Sequence, residues 1–133
     1  MAKNKPEVAI GHLVMHVAEA VRSAEFYEKL GLRIVEKAPQ FSLVELRGGT
    51  HILFFAEKKA RKILPASRKE DFDLMISGVF RDDLKIYREN LKKRGLAPRP
   101  IEKKKYHGHY FFQIDDPDGN TVSIYTSHAI GRV

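Results

Sequence analysis

The sequence predicts an α+β fold built twice, strand–helix–strand–strand–strand in each half. Two observations point to it. Gly11 to Leu30, GHLVMHVAEAVRSAEFYEKL, alternates as a strand and then changes to helical spacing at Val21, Ala24, Tyr27 and Leu30. The same order then recurs. A shift of 61 residues lays Asp73–Leu91 on His12–Leu30 without a gap, and a shift of 70 lays Phe111, Ile114, Gly119, Val122, Ile124 and Tyr125 on Phe41, Val44, Gly49, Ile52, Phe54 and Phe55. Two blocks repeating in one order indicate an internal duplication.

Taken in turn, strand one covers about Val8–Val17, with His12, Val14 and His16 on one face and Leu13, Met15 and Val17 on the other. Helix one covers Ala20–Leu30 and stops at Gly31. Strand two covers Leu32–Lys37 before Pro39, and strand three Phe41–Arg47. Gly48-Gly49 turns the chain into strand four, Thr50–Ala56. The first module is 8–57. Residues 58–70, charged and holding Pro65, read as a linker, and the second module is 71–127.

In the second module strand five covers Phe72–Val79. Helix two covers Asp82–Arg94, with Asp82 and Asp83 at its positive end and Lys92, Lys93 and Arg94 at its negative end. Leu84, Tyr87 and Leu91 form its buried stripe. Pro98–Lys104 holds at most an edge strand, because two prolines remove ladder donors. Strand seven is Tyr110–Asp115. Asp116-Pro117-Asp118-Gly119 is a turn, and strand eight is Asn120–Thr126.

The chain has 133 residues, 43% of them hydrophobic, no cysteine and a net charge of +7. That size suits one domain made of two small halves. Disulfide and thiolate chemistry are excluded. MAKNKPE has no apolar stretch of the signal-peptide kind and no long apolar run follows, so a cytoplasmic location is expected. Basic residues lie on several elements and no basic helix is interleaved with aromatics, which argues against nucleic acid. Lys103-Lys104-Lys105 and Arg99 suit an anionic ligand.

HLVMHV followed by FYEKLGL, with DDPDGNTVSIY opening the last strand, resembles the vicinal oxygen chelate superfamily of glyoxalases, bleomycin-resistance proteins and extradiol dioxygenases. The resemblance covers Ile10 to Tyr125. It implies a curled eight-stranded mixed sheet, a concave ligand cup and a homodimer. It also implies a divalent metal in many members, zinc, manganese, iron or nickel. His12, fourteen residues before Phe26, stands at the first ligand position, and the duplication puts Asp73 at its counterpart. The acid usual four residues after the Gly of DPDG is replaced by Ser123, and its first-half counterpart is Leu53.

His12 and Asp73 alone hold a metal weakly. His51, two residues before Leu53, is a substitute ligand by strand parity. Parity puts His16, His51, Phe55, Met75, Thr121, Ser123 and Tyr125 on the strand faces that the resemblance implies line the cup. Asp73, between Phe72 and Leu74, reads as a buried carboxylate that needs a partner. The expected function is a small-molecule-binding protein with a partly apolar cavity for an anion. The alternative is a metal-dependent lyase, isomerase, dioxygenase or thiol transferase, with the ion chelating two substrate oxygens.

Overall fold

A computed structural model describes residues 6–57, 71–103 and 109–127. The linker expected at 58–70 lies outside the described residues, as do Lys104, Lys105 and His107. The chain divides into two compact units, Met1–Lys58 and Lys59–Val133.

Unit one runs β1 (His12–Val17), α1 (Ala20–Lys29), β2 (Arg33–Lys37), β3 (Phe41–Glu45) and β4 (His51–Ala56). The sheet order is β1-β4-β3-β2, with β1 parallel to β4 and the other pairs antiparallel. The parallel pair is possible because α1 and the β2–β3 hairpin form the crossover between β1 and β4. Ala20, Ser23, Ala24 and Tyr27 are the buried face of α1, at the spacing an amphipathic helix requires. Met15, Val17, Val44, Ile52 and Phe54 are the buried apolar residues of the sheet. Tyr27 stacks on Phe54 with ring centroids 5.2 Å apart. Gly31, at φ 111°, ends the helix in a conformation that a side chain would strain.

β1 begins at His12 rather than near Val8. Val8 and Ile10 continue the alternation but are 85% and 65% exposed, because the ladder to β4 starts only at His12↔His51.

Unit two repeats the plan as β5 (Asp71–Met75), α2 (Arg81–Lys93), β6 (Glu102–Lys103), β7 (Tyr110–Asp115) and β8 (Thr121–Tyr125), ordered β5-β8-β7-β6. β5 is again parallel to β8. Leu84 and Leu91 are fully buried and Tyr87 packs against Phe112 at 6.1 Å. The first turn of α2 is closed by the Phe80 amide, which donates to Asp83 Oδ2 at 3.1 Å. β6 is two residues long, as the prolines at 98 and 100 require. At the β7–β8 turn, Asp116 Oδ1 accepts the Asp118 and Asn120 amides, both at 2.9 Å, while Oδ2 accepts from Asn120 Nδ2.

The expected eight strands and two helices are therefore present, as two four-stranded mixed sheets. Each helix packs on its own sheet: α1 on β2, β3 and β4, and α2 on β7.

Candidate functional site

The face of the unit-one sheet that α1 does not cover is ordered in rows across the strands. Residues paired in a ladder share a face, so the register defines each row. His12, His51, Glu45 and Arg33 form the first. Val14, Leu53 and Leu43 form the second, which Glu36 continues on β2, and His16, Phe55 and Phe41 form the third.

The first row is a connected polar chain. The His12 and His51 rings lie 6.0 Å apart. His51 Nε2 is 3.1 Å from Glu45 Oε2. A carboxylate only accepts, so Nε2 carries the hydrogen. Arg33 Nε donates to Glu45 Oε1 at 3.0 Å, and Arg33 Nη2 binds the same oxygen. The Arg33 hydrogen bond holds the Glu45 carboxyl below its ordinary range. Burial opposes this, and the charges of Arg33 and His51 add to it. The third row is aromatic. Phe55 lies 6.0 Å from His16 and 5.0 Å from Phe41, and His16 Nδ1 is 3.1 Å from Glu57.

The corresponding face of unit two has a different chemistry. Asp73, Ser123 and Gln113 share one row, and Met75, Tyr125 and Phe111 another. Ser123 is only 3% exposed and accepts a hydrogen bond from Gln113 Nε2 at 3.2 Å. Tyr125 stacks on Phe111 at 5.2 Å and meets the edge of His109 at 6.1 Å. Thr121 contacts Asp115 at 3.4 Å. Asp115 takes both its oxygens to Arg99 Nη2, at 2.7 and 2.8 Å, so the guanidinium expected to serve an anionic ligand already has a carboxylate. Lys103 lies over the Tyr110 ring at 5.5 Å.

Two expectations are corrected here. Asp73 is exposed, not buried, because alternation turns it away from the half-buried Leu74; a solvated carboxylate needs no partner. Asp73 is also not the ladder counterpart of His12. His12 pairs with His51, whereas Asp73 pairs with Ser123, which corresponds to Leu53 and hence to Val14. The gapless 61-residue shift fails because the strand-to-helix connection is longer in unit two. His12 stands eight residues before Ala20; its counterpart Asp71 stands ten before Arg81.

Of the residues expected at the site, the ladders bring His12 beside His51, His16 beside Phe55, Asp73 beside Ser123 and Met75 beside Tyr125. Thr121 shares its row with Asp115. Glu45 and Arg33 were missed. Counting outward from a two-residue Gly48-Gly49 turn pairs Glu45 with Ile52; the turn is instead centred on Gly48, Leu46 N donates to Thr50 O, and Glu45 falls opposite His51.

A divalent metal needs three or four converging N or O donors. Among the described residues no group of three or more His, Asp or Glu side chains offers that arrangement. Within unit one, His51 Nε2 is engaged by Glu45; within unit two, the ladder neighbours of Asp73 are Ser123 and Gln113. These residues do not fit a metal centre, and no step is derived through one.

The model of the glyoxalase/bleomycin resistance protein/dioxygenase superfamily matches residues 9–124. The chain belongs to that superfamily. Solved structures agree on the fold. A lactoylglutathione lyase from Agrobacterium tumefaciens superposes with a TM-score of 0.70 at 18% identity, covering 92% of this chain and 96% of that one. A bleomycin resistance determinant encoded on the transposon Tn5 gives 0.68 at 19%, with 92% and 100% covered. A possible glyoxalase from Bacillus cereus gives 0.68 at 22%, with 88% and 97% covered. At such identities the likeness of these superfamily members shows architecture alone. No curated protein matches the sequence. Among the described residues of this superfamily member, no helix is long and apolar enough to cross a membrane.

Proposed function

We propose that this superfamily member binds a small anionic molecule on the open face of the unit-one sheet. The observation that carries the reading is the row His12–His51–Glu45–Arg33 beside an apolar row. Glu45 is matched by Arg33 and takes the His51 Nε2 hydrogen, so His12 is the remaining imidazole donor of the row. An imidazole N–H donates to an oxyanion, and a mostly apolar face with a few converging polar groups is the usual make-up of a small-molecule site. The ladder rows of the unit-two face hold no imidazole among the described residues.

The reading assigns His12 to the ligand rather than to a metal, and the protein acts as a cytoplasmic homodimer. Thermal-shift and calorimetric titration with a panel of carboxylates and phosphonates tests the ligand class. Binding that the paired change His12→Ala and His51→Ala abolishes supports it. Stoichiometric metal that survives dialysis against a chelator overturns it in favour of metal-dependent chemistry. Sedimentation as a monomer at micromolar concentration overturns the dimer.

A further inference from the structure

We propose that the ligand is an elongated anion with a flat aromatic tail, its head at His12 and its ring on Phe55. This rests on the anion-binding reading above and adds the ligand's length, polarity and direction. Across β1, β4 and β3 the three rows lie in a fixed sequence, polar, aliphatic, aromatic, and only the β2 end of the middle row carries a charge, Glu36. Successive rows are two residues apart along a strand, so the outer rows are separated by about 13 Å. A small anion such as acetate reaches only the first row. A ligand that uses all three has a charge at one end, an apolar middle and a ring at the other end.

Each row is built for its share. In the polar row the Glu45 carboxylate already has Arg33 and His51, leaving the His12 imidazole as donor for an incoming oxyanion. In the middle row Val14 is 55% exposed although apolar, on a face where Leu53 and Leu43 are only half-buried beside it. In the third row Phe55, 37% exposed, stands between His16, tilted 30° to it, and Phe41, tilted 52°. An arene laid on Phe55 in offset or edge geometry gains contact from all three rings. Unit two repeats the aromatic pair, Tyr125 on Phe111, but not the imidazole pair, so it lacks the head-group end.

The test is calorimetric titration of the full chain at pH 7 with unbranched ω-phenylalkanoates of increasing chain length. Affinity is expected to peak where the ring-to-carboxylate distance reaches about 10–13 Å, at about six to eight chain carbons, and then to fall. The primary amide of the best member should bind about tenfold more weakly, since it loses a charge-assisted hydrogen bond. Phe55→Leu should weaken the long members about three- to tenfold and leave phenylacetate unchanged. Phe41→Leu gives the same test if Phe55→Leu does not fold. His12→Gln should remove the preference for carboxylate over amide. Affinity that rises steadily with chain length, alike in the wild type and both variants, overturns the three-row ligand while leaving a short anion site in place. Failure of every carboxylate and phosphonate to bind overturns the anion reading as well.

Discussion

Phe54→Ala tests the packing that fixes which face of the unit-one sheet stays open. Phe54 is fully buried, pairs with Met15 on one side and Ser42 on the other, and stacks on Tyr27 of α1. Truncation removes a ring from a close-packed site and leaves a cavity between helix and sheet. Buried Phe→Ala changes cost about 3–5 kcal/mol, which includes the aromatic pair's own contribution of about 0.5–1.5 kcal/mol. A domain holds only about 5–15 kcal/mol, so the change consumes a large share of the whole. In urea denaturation followed by circular dichroism, the midpoint should fall by about 2 M with an unchanged slope. Phe54→Leu, which keeps most of the volume, should cost less than half as much. A loss below about 1.5 kcal/mol for Phe54→Ala, or equal losses for Ala and Leu, refutes the helix-on-sheet assignment of this ring.

Three further outcomes are expected. Because Arg33 depresses the Glu45 carboxyl in the folded state, its contribution is present above the ordinary carboxylate range and lost as pH falls through the lowered value; Glu45→Gln should flatten that acid limb of a stability–pH profile. Burial pushes the Tyr87 phenol up to about 12, so folding favours the neutral ring, and stability falls as pH rises from about 10 towards 12; in an absorbance titration at alkaline pH, Tyr87→Phe should remove one ring's share of the late-titrating signal. Asp116→Ala leaves the Asp118 and Asn120 amides without their acceptor, and thermal unfolding should report a loss of about 1–3 kcal/mol, with Asp116→Asn milder.

Much of the architecture was legible because period, turn chemistry and helix-end charges agree in this chain. Gly31, Gly48-Gly49, Gly95 and Asp116–Gly119 mark ends that the structure keeps, four of those glycines and Gly119 at positive φ. Strand parity also placed His12, His16, His51 and Phe55 on one face. What parity cannot give is the neighbour across the strand. Glu45 and Arg33 come from other strands, and a bulge between Ile34 and Glu36 shifts the β2 register, so their meeting with His51 depends on ladders that no local window contains. The extra length between β5 and α2 was hidden for a similar reason: a two-residue insertion preserves strand alternation, so Asp73 still alternates correctly while occupying the wrong rung.

The parallel pairing of first strand with last has a consequence for the order in which the protein is made. β1 leaves the ribosome early, yet its only ladder partner among the described residues is β4, some forty residues later. Until His51–Ala56 emerges, Met15 and Val17 have no sheet to complete, although the β2–β3 hairpin and α1 are already available. Residues 51–56 then act as a clasp, joining β1 to β3 in a single insertion. β8 does the same for β5 and β7 in the second half. A nascent chain halted short of its clasp strand presents an open edge and an uncovered apolar face to proteases and chaperones, and this vulnerable interval is met twice during each synthesis.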